Sequence, residues 1–470
     1  MTYKYFSPFL FSLILSSCTM SPDFMRPDFS AASTWDPMLG YDIPVGENNV
    51  NTLDWKDFFK SQELCHVIEI ALHNNKDLKL AVLNINEARA LYQVERADLL
   101  PSLNANGTGS YEKSSDKSSL TGTAQKTEIY KANLGLSTYE LDFFGKIRSL
   151  TSSALNEYLA TQEARSVVQS TLIADTANAY LQLLADKKLL ALTRQTLVAQ
   201  QRTYNILVES LSHGLSAEQD VARAATAVET AKANLHQYNR FVALDRNALF
   251  QLMGVANDDD LLPETTLDGI KITENLDPGI PSEVLIKRPD IRQAEHLLLA
   301  RNADIGAARA AFFPSITLTG SFGYATQSLS TLFTSGAEGA YSFLPQITLP
   351  IFQGGRNRAQ LDLAQVRKEQ AIVAYEKAIQ TAFKDVSNQL ANRATLDKQL
   401  DAQRRLVAAA QKVYKISEAR YKFGIDSFLS VLDAQRELYT FQQEEIEIQR
   451  KRLSNLVYLY KALGGGAPSS

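Results

Sequence analysis

The spacing of glycine and proline constrains this chain more than any other feature. No Gly or Pro interrupts Lys146–His213 or Arg356–Phe423, two runs of 68 residues each. After single glycines at 214 and 424 come two more clean runs, Leu215–Met253 and Ile425–Leu463, each of 39 residues. Identities follow the same spacing. Asp77, Arg96, Ala97, Pro101, Ser102, Gly107 and Tyr111 recur 213 residues later as Asp290, Arg309, Ala310, Pro314, Ser315, Gly320 and Tyr324. Tyr204, Gly214, Val221 and Gly254 recur 210 residues later as Tyr414, Gly424, Val431 and Gly464. Self-similarity at a fixed offset marks a duplicated unit of structure.

The clean runs are full of Ala, Leu, Gln, Glu, Lys and Arg, with apolar residues at three- and four-residue steps, such as Val407, Ala410, Val413 and Tyr414. That pattern predicts helix. A helix of this length would measure about 100 Å. No compact domain has room for it, so an extended helical assembly is expected.

Between the helices lie segments of strand periodicity. Ile316, Leu318, Gly320, Phe322 and Tyr324 alternate with Thr317, Thr319, Ser321, Gly323 and Ala325; Tyr130, Ala132, Leu134 and Leu136 alternate with Lys131, Asn133, Gly135 and Ser137. Strands of about ten residues, apolar on one side and small-polar on the other, suit the wall of a transmembrane β-barrel. A half-buried antiparallel sheet alternates in the same way. Pro101 and Pro314 are expected where helix turns abruptly into strand, because proline ends helical bonding and favours extended chain. Gly145 and the pair Gly354-Gly355 are expected where strand swivels back into helix.

The N-terminus reads as a processing signal. Lys4 precedes the apolar run Phe6–Leu15, too short for a permanent membrane helix, and then Leu15-Ser16-Ser17-Cys18. This ending resembles a bacterial lipobox, which implies cleavage after residue 17 and covalent lipid (diacylglycerol and an N-acyl chain) on Cys18. The alternative is an ordinary secretory signal with an incidental cysteine. Thr19 rather than Asp after the cysteine implies outer-membrane sorting. With Cys18 acylated, Cys65 has no partner for a structural disulfide. A net charge of −4 with both signs interspersed gives no nucleic-acid footprint. The five His show no metal-ligand spacing and no nucleotide or nucleophile motif is present, so no enzyme is expected.

Each repeat supplies two strands and the chain four, whereas membrane barrels need at least about eight. Two chains would give eight strands with an interior filled by side chains, and three, the expected number, would give twelve with an open lumen. The expected fold is therefore a mixed α and β membrane protein with a two-fold internal repeat, four strands per chain joining a trimeric 12-stranded β-barrel, continued by a long periplasmic α-helical barrel. The expected divisions are signal peptide 1–17, anchor and equatorial segment 18–75, repeat 1 at 76–254, linker 255–288, repeat 2 at 289–464 and a flexible tail 465–470. The segment 254–290 that contains this linker, "GVANDDDLLPETTLDGIKITENLDPGIPSEVLIKRPD", is rich in Asp, Pro and Gly.

Residues 288–326, "RPDIRQAEHLLLARNADIGAARAAFFPSITLTGSFGYAT", resemble the signature of the TolC-like outer-membrane efflux factors, in particular their lipoprotein (NodT or OprM type) branch. "CTMSPDFMRP" and "YKFGIDSFLSVLDAQREL" (421–438) resemble that branch too. The resemblance implies a homotrimeric, passive outer-membrane channel of a tripartite efflux system, carrying small molecules outward. The implied partners are a periplasmic membrane-fusion adaptor and an inner-membrane resistance-nodulation-division pump. Gly214 and Gly424 then mark helical tips that dock onto the adaptor. Leu429, Asp433 and Arg436, one helix face by spacing, match positions that constrict the channel, as a gate. The linker and parts of 19–75 would form a belt. Two other functions stay open: the outer-membrane part of ATP-driven protein export, and a lipid-anchored periplasmic coiled-coil scaffold.

Overall fold

The computed structural model describes residues 19–27, 48–49, 53–115, 117, 123–277, 287–334 and 338–467. The signal segment 1–17 and the expected lipid-attachment residue Cys18 lie outside the described residues.

The first set of elements is α1 (Trp55–Phe58), α2 (Gln62–Asn74), α3 (Lys76–Ala97), β1 (Leu103–Lys113), β2 (Lys126–Leu141), α4 (Lys146–Ser212) and α5 (Glu218–Met253). The second is α6 (Pro289–Ala310), β3 (Ser315–Thr326), β4 (Glu338–Thr348), α7 (Arg356–Lys422) and α8 (Phe428–Ala462). The order helix, hairpin, long helix, shorter helix thus occurs twice. Helices α3 and α6 have 22 residues each and α4 and α7 have 67 each. The fold is mixed helix and sheet. By contacts the chain divides into one unit of residues 1–28, 85–161 and 294–375 and another of 29–84, 162–293 and 376–470.

In the first unit the four strands form one antiparallel sheet in the order β1-β2-β3-β4. A β-bulge interrupts it: Leu136 faces Gly320 and Tyr139 faces Leu318, leaving Ser137 and Thr138 opposite Thr319. Thr138 accommodates this with a φ of 42°. The extra residue returns Tyr139 and Leu141 to the side that carries Leu136.

The passage from helix to strand differs from the sequence expectation in one respect. Helix α3 stops at Ala97 and α6 at Ala310, ahead of Pro101 and Pro314. The amides of Leu99 and Leu100 turn to the carbonyls of Arg96 and Ala97, and those of Phe312 and Phe313 to Arg309 and Ala310. Each proline is therefore preceded by a tight final turn. Proline disfavours helix in the residue before it, so the tightening must come earlier.

On the return, Gly145, Gly354 and Gly355 have φ of 72°, 60° and 86°, the left-handed region in which glycine carries no penalty. Asp142 closes the first of these junctions. Its carboxylate accepts from the amides of Ile147 and Arg148 at 3.1 and 2.9 Å and from Arg148 Nε at 3.0 Å. Those amides are unpaired donors of the first turn of α4.

The second unit holds a helical core. Phe58 stacks on Tyr460 with ring centroids 4.1 Å apart, and Phe59 meets Phe58 edge-on at 4.7 Å. Leu64, Ile68, Leu181, Leu249, Met253 and Leu456 fill the surrounding space, all fully buried. The segment beside α1 pairs with the inter-repeat segment: Phe59 bridges Ile272, and Thr273 donates its amide to Phe58 O at 3.0 Å.

Candidate functional site

Register assigns every strand residue to a face, because directly paired residues share a side. One face carries Leu103, Ala105, Tyr111, Tyr130, Ala132, Leu134, Leu136, Tyr139 and Leu141 from the first hairpin. From the second it carries Ile316, Leu318, Phe322, Tyr324, Tyr341, Phe343 and Ile347. The opposite face carries Asn104, Asn106, Thr108, Lys131, Asn133, Thr317, Thr319, Ser321, Ser342 and Gln346, with Ile129 and Leu344 as apolar exceptions. A soluble sheet would cover the apolar face. Here Tyr341 is 84% exposed, Ile347 69% and Phe343 63%, so no element among the described residues covers it.

Aromatic residues gather at both ends of that sheet. Tyr111, Tyr130, Tyr324 and Tyr341 stand near the hairpin ends of their strands, and the Tyr111 and Tyr130 hydroxyls hydrogen-bond each other. At the helix end, Phe144 stacks on Phe313 at 4.7 Å, and Phe143 and Phe352 are exposed. Paired aromatic rims around an apolar band suit a sheet that faces lipid.

The second unit contains both tips. Gly214 and Gly424 share a φ of 72°. The Gly214 amide donates to Leu211 O and that of Leu215 to Ser210 O; the Gly424 amide donates to Tyr421 O and that of Ile425 to Arg420 O. This is the Schellman arrangement, twice. Leu207, Ala224 and Ala227 pack with Phe428, Val431 and Leu432, so each tip supports the other. The turns remain open: Leu215 is 82% exposed and Phe423 81%. The second tip is further clamped by Arg420, whose Nε and Nη2 reach the Asp426 carboxylate at 2.5 and 3.1 Å. That ion pair holds Asp426 below the usual carboxylate range.

Leu429, Asp433 and Arg436 all lie on the exposed side of α8, opposite buried Phe428, Val431 and Leu432. Arg436 and Asp433 approach to 3.9 Å, a loose ion pair between exposed side chains. Pro101, Pro314, Gly145, Gly354 and Gly355 sit at the sheet's helical end as described above.

Sequence reasoning passed over one pair of repeat-related residues. Arg288 forks onto Asp290 at 3.0 and 2.6 Å and sends Nη1 to the carbonyl of Ala462 at 2.7 Å. At the matching place in the first copy, Asn75 donates to the carbonyl of Leu252 at 2.9 Å and accepts from the Leu78 amide at 3.0 Å. Both tie the start of a short helix to the end of the last helix of the repeat. Matching by identity misses them, since one is Arg and the other Asn.

A sequence profile described as outer membrane efflux protein matches residues 67–255 and again 280–465. A probable efflux pump outer membrane protein, TtgC, of Pseudomonas putida is 43% identical over 472 residues, covering 99% of this chain and 96% of that protein. The crystal structure of a membrane protein from Pseudomonas aeruginosa superposes with a TM-score of 0.91 at 40% identity, covering 96% of this chain and 99% of the other. The open state of the MtrE outer membrane channel of Neisseria gonorrhoeae gives 0.87 at 40% identity, with the same coverage. The chain belongs to the outer membrane efflux protein family.

Proposed function

We propose that this outer membrane efflux protein acts as a homotrimer, three copies of its sheet closing a 12-stranded β-barrel. The observation that carries the reading is the sheet: among the described residues β1 and β4 have no strand partner on their outer sides, and nothing covers its apolar face. In lipid every backbone polar group must be paired, so such a sheet is stable only when its edges close on copies of itself. A strand of 11 residues is about 36 Å long; tilted as barrel strands are, it spans a hydrocarbon layer of about 27 Å. The Asn, Ser and Thr face would line a water-filled lumen, through which small molecules pass without chemical change.

The long helices would continue that conduit into the periplasm, and segments 55–75 and 255–277 would belt it. The exposed tips at Gly214 and Gly424 would meet a periplasmic adaptor, itself held by an inner-membrane resistance-nodulation-division pump. Relatives are named for the efflux of antibiotics and of toluene, which supports small apolar or amphipathic cargo. Leu429, Asp433 and Arg436 would narrow the inner end, with three Asp433 carboxylates forming an acidic ring. Cys18 would carry the lipid. Cross-linking of purified protein in detergent, followed by conductance in planar bilayers, tests the assembly. A trimer with ohmic channels is expected, and a monomer without conductance would refute the reading.

A further inference from the structure

Residues 19–27, which follow Cys18, run without helix or strand against one side of α6. That helix meets them with Glu295, Asn302, Gly306 and Arg309, spaced by seven, four and three residues. Such spacing forms a single stripe. Arg309 Nη1 donates to the carbonyl of Met20 at 3.3 Å, and Asn302 Nδ2 to that of Pro22 at 2.8 Å. Arg26 donates from Nε and Nη2 to Glu295 at 2.9 and 2.5 Å. The lengths agree. From Arg309 to Glu295 a helix advances about 21 Å, and an extended chain from Met20 to Arg26 covers about 20 Å.

Gly306 makes the approach possible. A Cβ there would lie 2.1 Å from Ser21 Oγ, 2.7 Å from Ser21 N and 2.6 Å from Ser149 Oγ. The Ser21 and Ser149 hydroxyls are 3.2 Å apart, so the strap rests on α4 as well as α6. At its start, Thr19 Cα would be 3.0 Å from a Cβ on Gly145. The first copy of the repeat lacks this stripe. Its helix α3 has Val82, Arg89, Gln93 and Arg96 at the corresponding places, and Gln93 is exposed. The two helices are otherwise equal in length and place, so the glycine and asparagine of α6 go with the strap.

We propose that the stripe Glu295, Asn302, Gly306 and Arg309 is a dedicated seat for the N-terminal strap, and that it sets the level at which the lipid-bearing end of the chain meets the membrane sheet. This rests on the reading of Cys18 as the acylated residue. A free tether would let the lipid enter anywhere within its reach. A seated strap delivers Thr19, the residue bonded to Cys18, to Gly145, four residues past the end of β2 at Leu141. The acyl chains and the aromatic rim of the sheet then share one edge of the bilayer.

The test uses Ser21→Cys with Ser149→Cys in a Cys65→Ser background, oxidised in isolated outer membranes and read by mass spectrometry of the linked peptide. The seat predicts a disulfide in most molecules. Adding Gly306→Leu should lower the bridged fraction roughly tenfold by steric exclusion, and Asn302→Ala with Arg309→Ala, which introduces no bulk, about fivefold. A parent pair that does not bridge, or bridging untouched by both sets of changes, overturns the seat. Fatty-acid labelling of the same parent and of its Cys18→Ala version reads the anchor separately: label in the parent alone supports it, and an unlabelled parent overturns the anchoring role whatever the disulfide shows.

Discussion

Arg288 reaches across to the carbonyl of Ala462 at 2.7 Å while its other nitrogens grip Asp290. The guanidinium is almost entirely buried, with a side-chain exposure of 10%. One side chain thus closes the end of α8 and fixes the start of α6.

Replacing Arg288 with Ala should cost about 3 kcal/mol, since it strands a partly buried carboxylate and a helix-end carbonyl together. Asn75→Ala, which loses two neutral hydrogen bonds at the equivalent place, should cost about 1–2 kcal/mol. Guanidinium unfolding of the detergent-solubilised protein would measure both. Equal, small losses would show that the tie does not carry the repeat.

A second expectation concerns pH. Asp245 on α5 is pushed up to about 7 by burial and by a hydrogen bond with Asp186 of α4, against the opposing pull of Arg450 on α8. Gln182 donates to the other carboxylate at 2.9 Å. The folded protein therefore keeps a proton that the unfolded chain releases near pH 4. With more protons bound when folded, stability falls as pH rises from about 4 to about 7 and is level above that. Asp245→Asn should remove this slope, raising the thermal midpoint at pH 8 and leaving it nearly unchanged at pH 5. A parallel shift at both values would contradict the shared proton.

The two faces of the sheet make opposite predictions for the same substitution on adjacent residues. Phe322→Arg puts a cation on the apolar face, which the proposed barrel turns to lipid; at a cost of about 2–4 kcal/mol it should sharply reduce heat-resistant, membrane-inserted protein. Ser321→Arg lies on the polar side and should insert normally while shifting ion selectivity toward anions. Comparable insertion of both would show that the Phe322 face does not meet lipid, and the reverse order would mean that the faces have been assigned the wrong way round.

For the proposed gate, the Asp433–Arg436 pair within one chain is worth only a few tenths of a kcal/mol. Asp433→Ala should thus leave stability unchanged within that margin and raise single-channel conductance in planar bilayers. If conductance stays at the parent level, the constriction lies elsewhere.

Much of the architecture was legible because its signals are local. Helix breakers act on their own neighbours, so equal clean runs disclosed two long helices and two tips before any contact was known. Alternation likewise showed the faces of β2 and β3. The bulge at Ser137 and Thr138 was hidden, because it exists only relative to Thr319 on another strand. Asp142 gave no cap signature, since it sits five residues ahead of the first amide that it binds. The seat for residues 19–27 was least visible of all: nothing periodic marks the strap, and Asn302 lies 280 residues from the carbonyl that it holds.

The open borders of the sheet bear finally on biogenesis. A solitary protomer entering the bilayer would expose the outer backbone groups of both β1 and β4 to hydrocarbon, each at several kcal/mol, about the value for an unmet amide in an apolar medium. Insertion ahead of association is therefore steeply uphill. On the proposed trimeric barrel, the chains must find one another while their hairpins are still wet, which would make the rate of appearance in the membrane depend on their concentration.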